Sequence, residues 1–266
     1  MICLKRGTLE FRELVDLSST ITLATLYPDL MRRFALAHVL LIVVAISAVV
    51  AHAQDPLRAF PSNYKLILDN PQVRVLRCHY GPHEKVGVHN HSNFPTVYVY
   101  LSDAGEVRFT HVEEHAFVMT RPAVKAGAFR VSPGRPERHT VENLSDLPSD
   151  YLRIELKQIP LHGTLSPKRG DAPLNLDKTR IEVVFHDPQM MIERVICTAS
   201  GPCAVPAAKS PSLLVAFSAS TLAGAPKSQL QPGEILWIPG SGPLTVSTAS
   251  TVPAQLLRIN FPASGK

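Results

Sequence analysis

From Tyr64 to Lys157 the chain is written as short apolar runs broken by turn residues, a pattern that leaves few folds open to it. The runs Tyr64–Leu68, Val73–Tyr80, Thr96–Leu101, Glu106–Glu113, Ala128–Ser132, Thr140–Asn143 and Tyr151–Lys157 are of strand length and rich in β-branched or alternating apolar residues. Between them, Asp69-Asn70-Pro71, Ser102-Asp103-Ala104-Gly105 and Ser132-Pro133-Gly134 supply turn chemistry. Prolines (23) outnumber glycines (14), and strongly helical charged runs are few. Many short antiparallel strands at this spacing favour closure into a barrel or packing as a sandwich. The expected fold class is all-β.

The second half repeats the first in weaker form. Asn70-Pro71-Gln72, Arg77 and Gly81-Pro82 are echoed by Asp187-Pro188-Gln189, Arg194 and Gly201-Pro202. Gly127 and Pro133-Gly134 are echoed by Gly233 and Pro239-Gly240, and Leu152-Arg153-Ile154 by Leu257-Arg258-Ile259. The order is kept, while the offset falls from 117 residues (Asn70 to Asp187) to 106 (Gly127 to Gly233). This reads as an internal duplication with a shorter second copy.

The chemistry is concentrated in His89-Asn90-His91 and His139. Two histidines at i and i+2 on a strand point to the same face of a sheet. A third from a distant strand completes a three-nitrogen site for a divalent metal. Imidazole suits Fe2+, Mn2+, Ni2+, Cu2+ and Zn2+ alike. With no carboxylate among the ligands, the full charge stays on the ion, which favours an anionic, chelating ligand or a metal-bound hydroxide.

These residues resemble the cupin superfamily of small β-barrels. Its first motif is matched by Gly81, His89-Asn90-His91 and Gly105, and its second by Gly127, Pro133, His139 and Asn143. The resemblance covers residues 60–157 well and 181–262 as a skeleton. It implies two cupin-like barrels (double-stranded β-helix, or jelly roll) in tandem, a bicupin, with His89, His91 and His139 as metal ligands in the first barrel. Two departures stand out: the family's glutamate ligand should fall near Pro95 or Thr96, and Arg135 replaces an expected glycine. The fourth ligand is therefore open among His83, Glu84 and water. Three-histidine cupins include dioxygenases acting on thiols and β-dicarbonyls, so the resemblance implies an oxygenase using Fe2+ on a small acid, thiol or dicarbonyl. The competing reading is a cupin module that binds a small ligand or metal ion without turnover. No catalytic residue is identified, and no organic cofactor is expected. Cupins often pair, so a homodimer is an expectation.

The remaining polar residues carry less. His79, His111 and His115 read as surface or packed histidines. Arg74, Arg77 and Arg108 could reach a carboxylate substrate, although solvated strand faces suit them better. Asn143 is expected to fix the turn after the His139 strand, and Glu142 and Glu155 to face water. Past the linker the sole histidine is His186, so the second copy is expected to be structural, packing on the first barrel or forming one side of a dimer.

At the N-terminus, Met31-Arg32-Arg33 precedes an apolar block from Phe34 to Val50 and then Ala51-His52-Ala53-Gln54. A basic start, an apolar stretch and a small-x-small end make a secretory signal peptide with cleavage after Ala53. Met31 reads as the true start, and the alternative is an anchor retained over 34–50. The expected organisation is an N-terminal extension with signal peptide over 1–53 (the signal itself 31–53), a metal-binding barrel over 54–160, a linker over 161–176 and a degenerate barrel over 177–266. The product is secreted or periplasmic, with no membrane contact after cleavage and a small-molecule ligand. In an oxidising compartment Cys197 and Cys203 are placed to form a disulfide, while Cys78 reads as a core residue. Net charge is +5 with scattered basic residues and no aromatic platform, which argues against nucleic-acid binding.

Overall fold

Strands of the first half form two facing sheets in the computed structural model of the chain, which describes residues 55–113, 115–159, 165–173, 175–199, 201–208, 210–240 and 242–261. The signal segment expected over 31–53 lies outside the described residues. A short helix, α1 (Pro56–Ala59), is capped by the Asp55 carboxylate, which accepts from the Leu57 amide at 3.0 Å. There follow β1 (Tyr64–Asp69), β2 (Val73–Tyr80), β3 (Lys85–His91), β4 (Thr96–Tyr100), β5 (Val107–His111), β6 (Phe117–Arg121), β7 (Phe129–Ser132), β8 (Glu137–Asn143) and β9 (Ser149–Leu156). The linker is not free of structure: Lys168–Gly170 forms β10 and pairs with β7. Its Gly170 lies opposite Phe129, whose ring occupies the space a Cβ would need.

The second half comprises β11 (Arg180–Asp187), β12 (Met190–Cys197), β13 (Cys203–Val205), β14 (Ser212–Ala216), β15 (Ser220–Ala223), β16 (Gln229–Leu230), β17 (Ile235–Ile238), β18 (Leu244–Thr248) and β19 (Ala254–Asn260). The first half orders its strands β1-β2-β9-β4-β7, extended by β10, against β3-β8-β5-β6. The second half repeats that order strand for strand, β11-β12-β19-β14-β17 against β13-β18-β15-β16. The equivalent turns before β7 and β17 share a device. Gly127 (φ 88°) and Gly233 (φ 79°) each take a left-handed conformation that side chains with a Cβ disfavour. The next residue's amide closes each turn, Ala128 to the Lys125 carbonyl and Glu234 to the Gln231 carbonyl.

Alternation decides what faces where. On β9, Leu152, Ile154 and Leu156 pack with Val73, Val75, Val97, Val99 and Phe129 against Ile192, Leu213, Val215, Leu257 and Ile259 of the second half. The largest apolar cluster thus joins the two large sheets face to face. Tyr151, Arg153 and Glu155 point the other way, into the first barrel, where the core is Tyr64, Leu76, Cys78, Tyr80, Val86, Tyr98, Val107 and Val141. Glu155 is therefore buried (1% exposed) and does not face water, because the face its apolar neighbours cover is the contact with the second half. The second barrel is filled instead by apolar side chains, among them Val195, Leu214, Leu222, Leu230, Val246 and Leu256. Cys197 and Cys203 are disulfide-bonded, with Cα atoms 5.7 Å apart, and Cys78 is buried and free. Among the described residues, no helix is long and apolar enough to cross a membrane.

Candidate metal centre

A bulge in β3 places the first histidine. Val86 pairs with Val141 and His89 with His139, so three steps along β3 match two along β8. The extra residue turns His89 onto the face of His139; without it Val88 would take that place. The bulge also supplies a partner: Gly87 O accepts from His89 Nδ1 at 2.8 Å, which leaves the Nε2 lone pair directed at the cluster. His91, two residues on, shares that face.

His89, His91 and His139 converge. One nitrogen from each lies within 4.8 Å of the other two, and the ring centroids are 4.8 to 5.2 Å apart. His89 and His139 are buried and His91 is half-buried. Burial lowers the basicity of all three, with His139 brought to about 3 although Glu137 pulls it up, so the rings are neutral at physiological pH. Neutral imidazole is the ligating form. Both nitrogens of His139 and Nδ1 of His91 are buried without a hydrogen-bond partner. Such groups are costly to leave unmet, and a divalent ion held by the three rings would take one nitrogen from each, meeting one of the two on His139.

Neither protein side chain named for the fourth position, His83 or Glu84, joins the three-histidine group. His83 is exposed and paired with Asp146 at 2.8 Å. Glu84 is held by the Asn63 side chain at 2.7 Å and the Gly81 amide at 2.6 Å. Tyr64 Oη lies 2.8 Å from His89 Nε2. It begins a chain of hydroxyls, Tyr64 to Tyr80 to Tyr151, each link 2.8 Å.

One carboxylate does stand at the centre. Glu137, two residues before His139 and on its face, is bound by Arg153 at 2.6 Å. Burial pushes its pKa up, but Arg153 and the His139 ring outweigh that and hold it at about 2. Arg153 also binds Glu155 at 2.9 Å and donates to Tyr98 Oη at 2.8 Å. His111 faces His139 from β5, buried and stacked on Phe117 at 4.2 Å, and lies outside the three-histidine group. Asn143 behaves as its position suggests: Nδ2 donates to the Gly81 and Leu147 carbonyls at 2.8 Å each, tying the end of β8 to the β2–β3 loop.

The cluster opens into a solvent-connected cavity. Its polar lining includes His91, His111, His139, Glu137, Tyr98, Tyr151 and four arginines, Arg121, Arg130, Arg135 and Arg153. None of the arginines singled out from sequence lines this cavity, although Arg74 shares the inward face of Glu155 and its charge helps lower the basicity of His91. Arg77 forms a two-point pair with Asp150, Arg108 pairs with Glu142 at the surface, and Arg74 faces Glu155 across β2 and β9. Of the residues missed, Glu137 was within reach of the i, i+2 rule that joined His89 to His91. Tyr64, Tyr80, Tyr151 and the cavity arginines come from distant strands and left no local signal, whereas Tyr98 and Tyr100 follow strand alternation and do line the cavity.

Two facing sheets per half, wound in one repeated order, with inward imidazoles in the first, define a tandem β-barrel protein of the cupin fold. No family model matches the chain, and no curated protein is significantly similar in sequence. Solved structures do share the fold. YhaK from Escherichia coli superposes with a TM-score of 0.53 at 13% identity, over 76% of this chain and 92% of its own. AerE from Microcystis aeruginosa gives 0.53 at 13%, over 75% and 97%. The bacterial pirin YhhW from Escherichia coli, solved in complex with nickel(II), gives 0.52 at 14%, over 75% and 90%.

Proposed function

We propose that this is an exported cupin-fold protein that holds a divalent metal ion on His89, His91 and His139 and acts as an oxygenase on a small anionic ligand bound in the adjoining cavity. The observation that carries the metal reading is the convergence of three neutral imidazoles, with His139 lacking any other partner for either nitrogen. When bound, such an ion would supply Lewis acidity and, as Fe2+, a redox centre at which an oxidisable ligand, itself the source of the electrons, could meet dioxygen. The chain does the rest. Gly87 O fixes the His89 tautomer, the hydrophobic walls from Val107 and Phe109 limit water, and the arginines favour an anion. The Cys197–Cys203 disulfide and the leader over 31–53 support export.

One observation favours the alternative of binding without turnover. Glu137 sits at the cluster but is held at about 2 by Arg153, too weak a base to take a proton from substrate at neutral pH. The experiment that separates these readings has two arms. Metal analysis of the purified protein and of a His89→Ala, His139→Ala double variant is expected to show one ion per chain, lost in the variant. Oxygen uptake by the iron-loaded protein across thiols and dicarbonyls is expected to be positive for the enzyme; metal without uptake leaves the binding module.

A further inference from the structure

Beyond the histidine cluster the first barrel carries a line of cations that its carboxylates do not balance. Arg153 on β9 faces Tyr98 on β4, Tyr98 faces Arg130 on β7, and Arg130 faces Arg169 on β10. Residues directly opposite share one face of a sheet, so the four side chains form a row from the cavity interior to the sheet edge. Arg153 is matched by Glu137 and Glu155. Arg130 lies with its guanidinium 3.8 Å from the centroid of Tyr98, and its Nε is buried with no hydrogen-bond partner. Arg169 directly opposite is a like charge, an arrangement that destabilises a strand pair.

The surroundings make the imbalance larger. A groove beside the cavity is lined by Arg121, Arg130, Arg135, Lys168 and Arg169 with no carboxylate, and the first three of these line the histidine cavity as well. Arg121 is pushed down to about 10 by burial and by the charge of Arg130. A charged edge strand can serve merely to discourage unwanted pairing. That purpose needs Lys168 and Arg169 at the edge; it does not need Arg121 and Arg130 turned toward the same space, while Arg135 there is paired with Glu137 at 3.6 Å.

We propose that Arg121, Arg130 and Arg169 form a second oxyanion subsite at the edge of the cavity, so that the ligand is an elongated dianion with one anionic end at the histidine cluster and a carboxylate or phosphate at the arginines. The assignment of the first end rests on the metal-site reading; the arginine subsite does not. Guanidinium forks match either oxyanion in two-point fashion, and an anion between Arg130 and Arg169 turns a repulsion into a bridge.

The test uses the full-length protein, with its metal content measured, titrated calorimetrically with acetate, succinate and phosphoglycolate. The two-headed anions are expected to bind at least about tenfold more tightly than acetate. An Arg130→Gln, Arg169→Gln double variant is expected to lose that preference while keeping its metal. Lys168→Gln with Arg169→Gln, which alters only exposed edge side chains, is expected to reduce the preference and serves if the first variant does not fold. Equal affinity for one- and two-headed anions, or a preference that survives both variants, overturns the proposal. Inorganic phosphate added to chelator-treated protein separates the two readings. Phosphate binding that raises Tm in a protein never found to hold metal sinks the metal site and keeps the subsite. A metal-loaded protein that is indifferent to phosphate sinks the subsite alone.

Discussion

His89 and His139 stand directly opposite one another across β3 and β8, ring centroids 4.8 Å apart, because one extra residue in β3 brings them into register. His139 in turn faces His111 across β5, with centroids 5.1 Å apart. A row of three histidines thus crosses the small sheet, yet only the first two join His91 in a ligand group. Replacing His139 by alanine is expected to abolish metal binding, and replacing His89 to weaken it by orders of magnitude. His111→Phe, which keeps the stack on Phe117, is expected to retain full metal stoichiometry by elemental analysis. Loss of metal in His111→Phe would place a fourth histidine in the site.

Tyr64 hydrogen-bonds the same His89 Nε2 lone pair that a metal would use. Removing a competing bond worth about 1 kcal/mol should tighten metal binding about fivefold. Tyr64→Phe is therefore expected to bind Zn2+ more tightly than the parent in a competition titration with a chromophoric chelator. Weaker binding would instead make the Tyr64 oxygen a ligand.

Acid should destabilise the metal-free protein. His89, His91 and His139 have folded pKa values below the ordinary imidazole value of 6.5, chiefly through burial. The unfolded chain therefore takes up protons first. The stability these neutral rings contribute is complete above 6.5 and is lost as pH falls toward the folded values, about 3 for His139. Each costs about 1.4 kcal/mol per pH unit within that window. The urea midpoint of chelator-treated protein is expected to fall steadily from pH 7 to pH 5, and less steeply in His139→Gln. Equal slopes would remove His139 from the account.

Asn143 holds two loops with one buried amide. Asn143→Ala leaves the Gly81 and Leu147 carbonyls without that donor, at a cost of about 2–3 kcal/mol in denaturant unfolding. The β2–β3 loop leads directly into the strand that carries His89 and His91, so metal affinity is expected to drop with stability. A variant as stable as the parent would mean that the loops hold themselves.

The all-β character and most strand positions of the first barrel were legible, since β2 matches its sequence segment end for end and β1, β4, β7 and β9 lie within a few residues of theirs. The strand β6 was not, because Phe117, Val118 and Thr120 are all exposed and give no periodic signal. The three histidines were found because spacing along one strand fixes a shared face, and a motif supplied the third. Glu155 was misread for a definite reason. The Tyr151–Leu156 segment alternates cleanly, but alternation says only that two faces differ, not which one meets water. The second barrel covers the aliphatic face, so the polar face becomes the interior.

By itself, then, the sequence determined local things: strand periodicity, the turns at Gly127 and Gly233, and two imidazoles on one side of one strand. Those follow from backbone geometry that reaches only a few residues. The tertiary structure decided which faces close on each other, and with that the bulge register opposing His89 to His139, the hydroxyl chain from Tyr64 to Tyr151, and the row from Arg153 to Arg169. Each of these joins strands far apart in sequence, and their spacing is set by sheet pairing rather than by anything a short stretch of chain can specify.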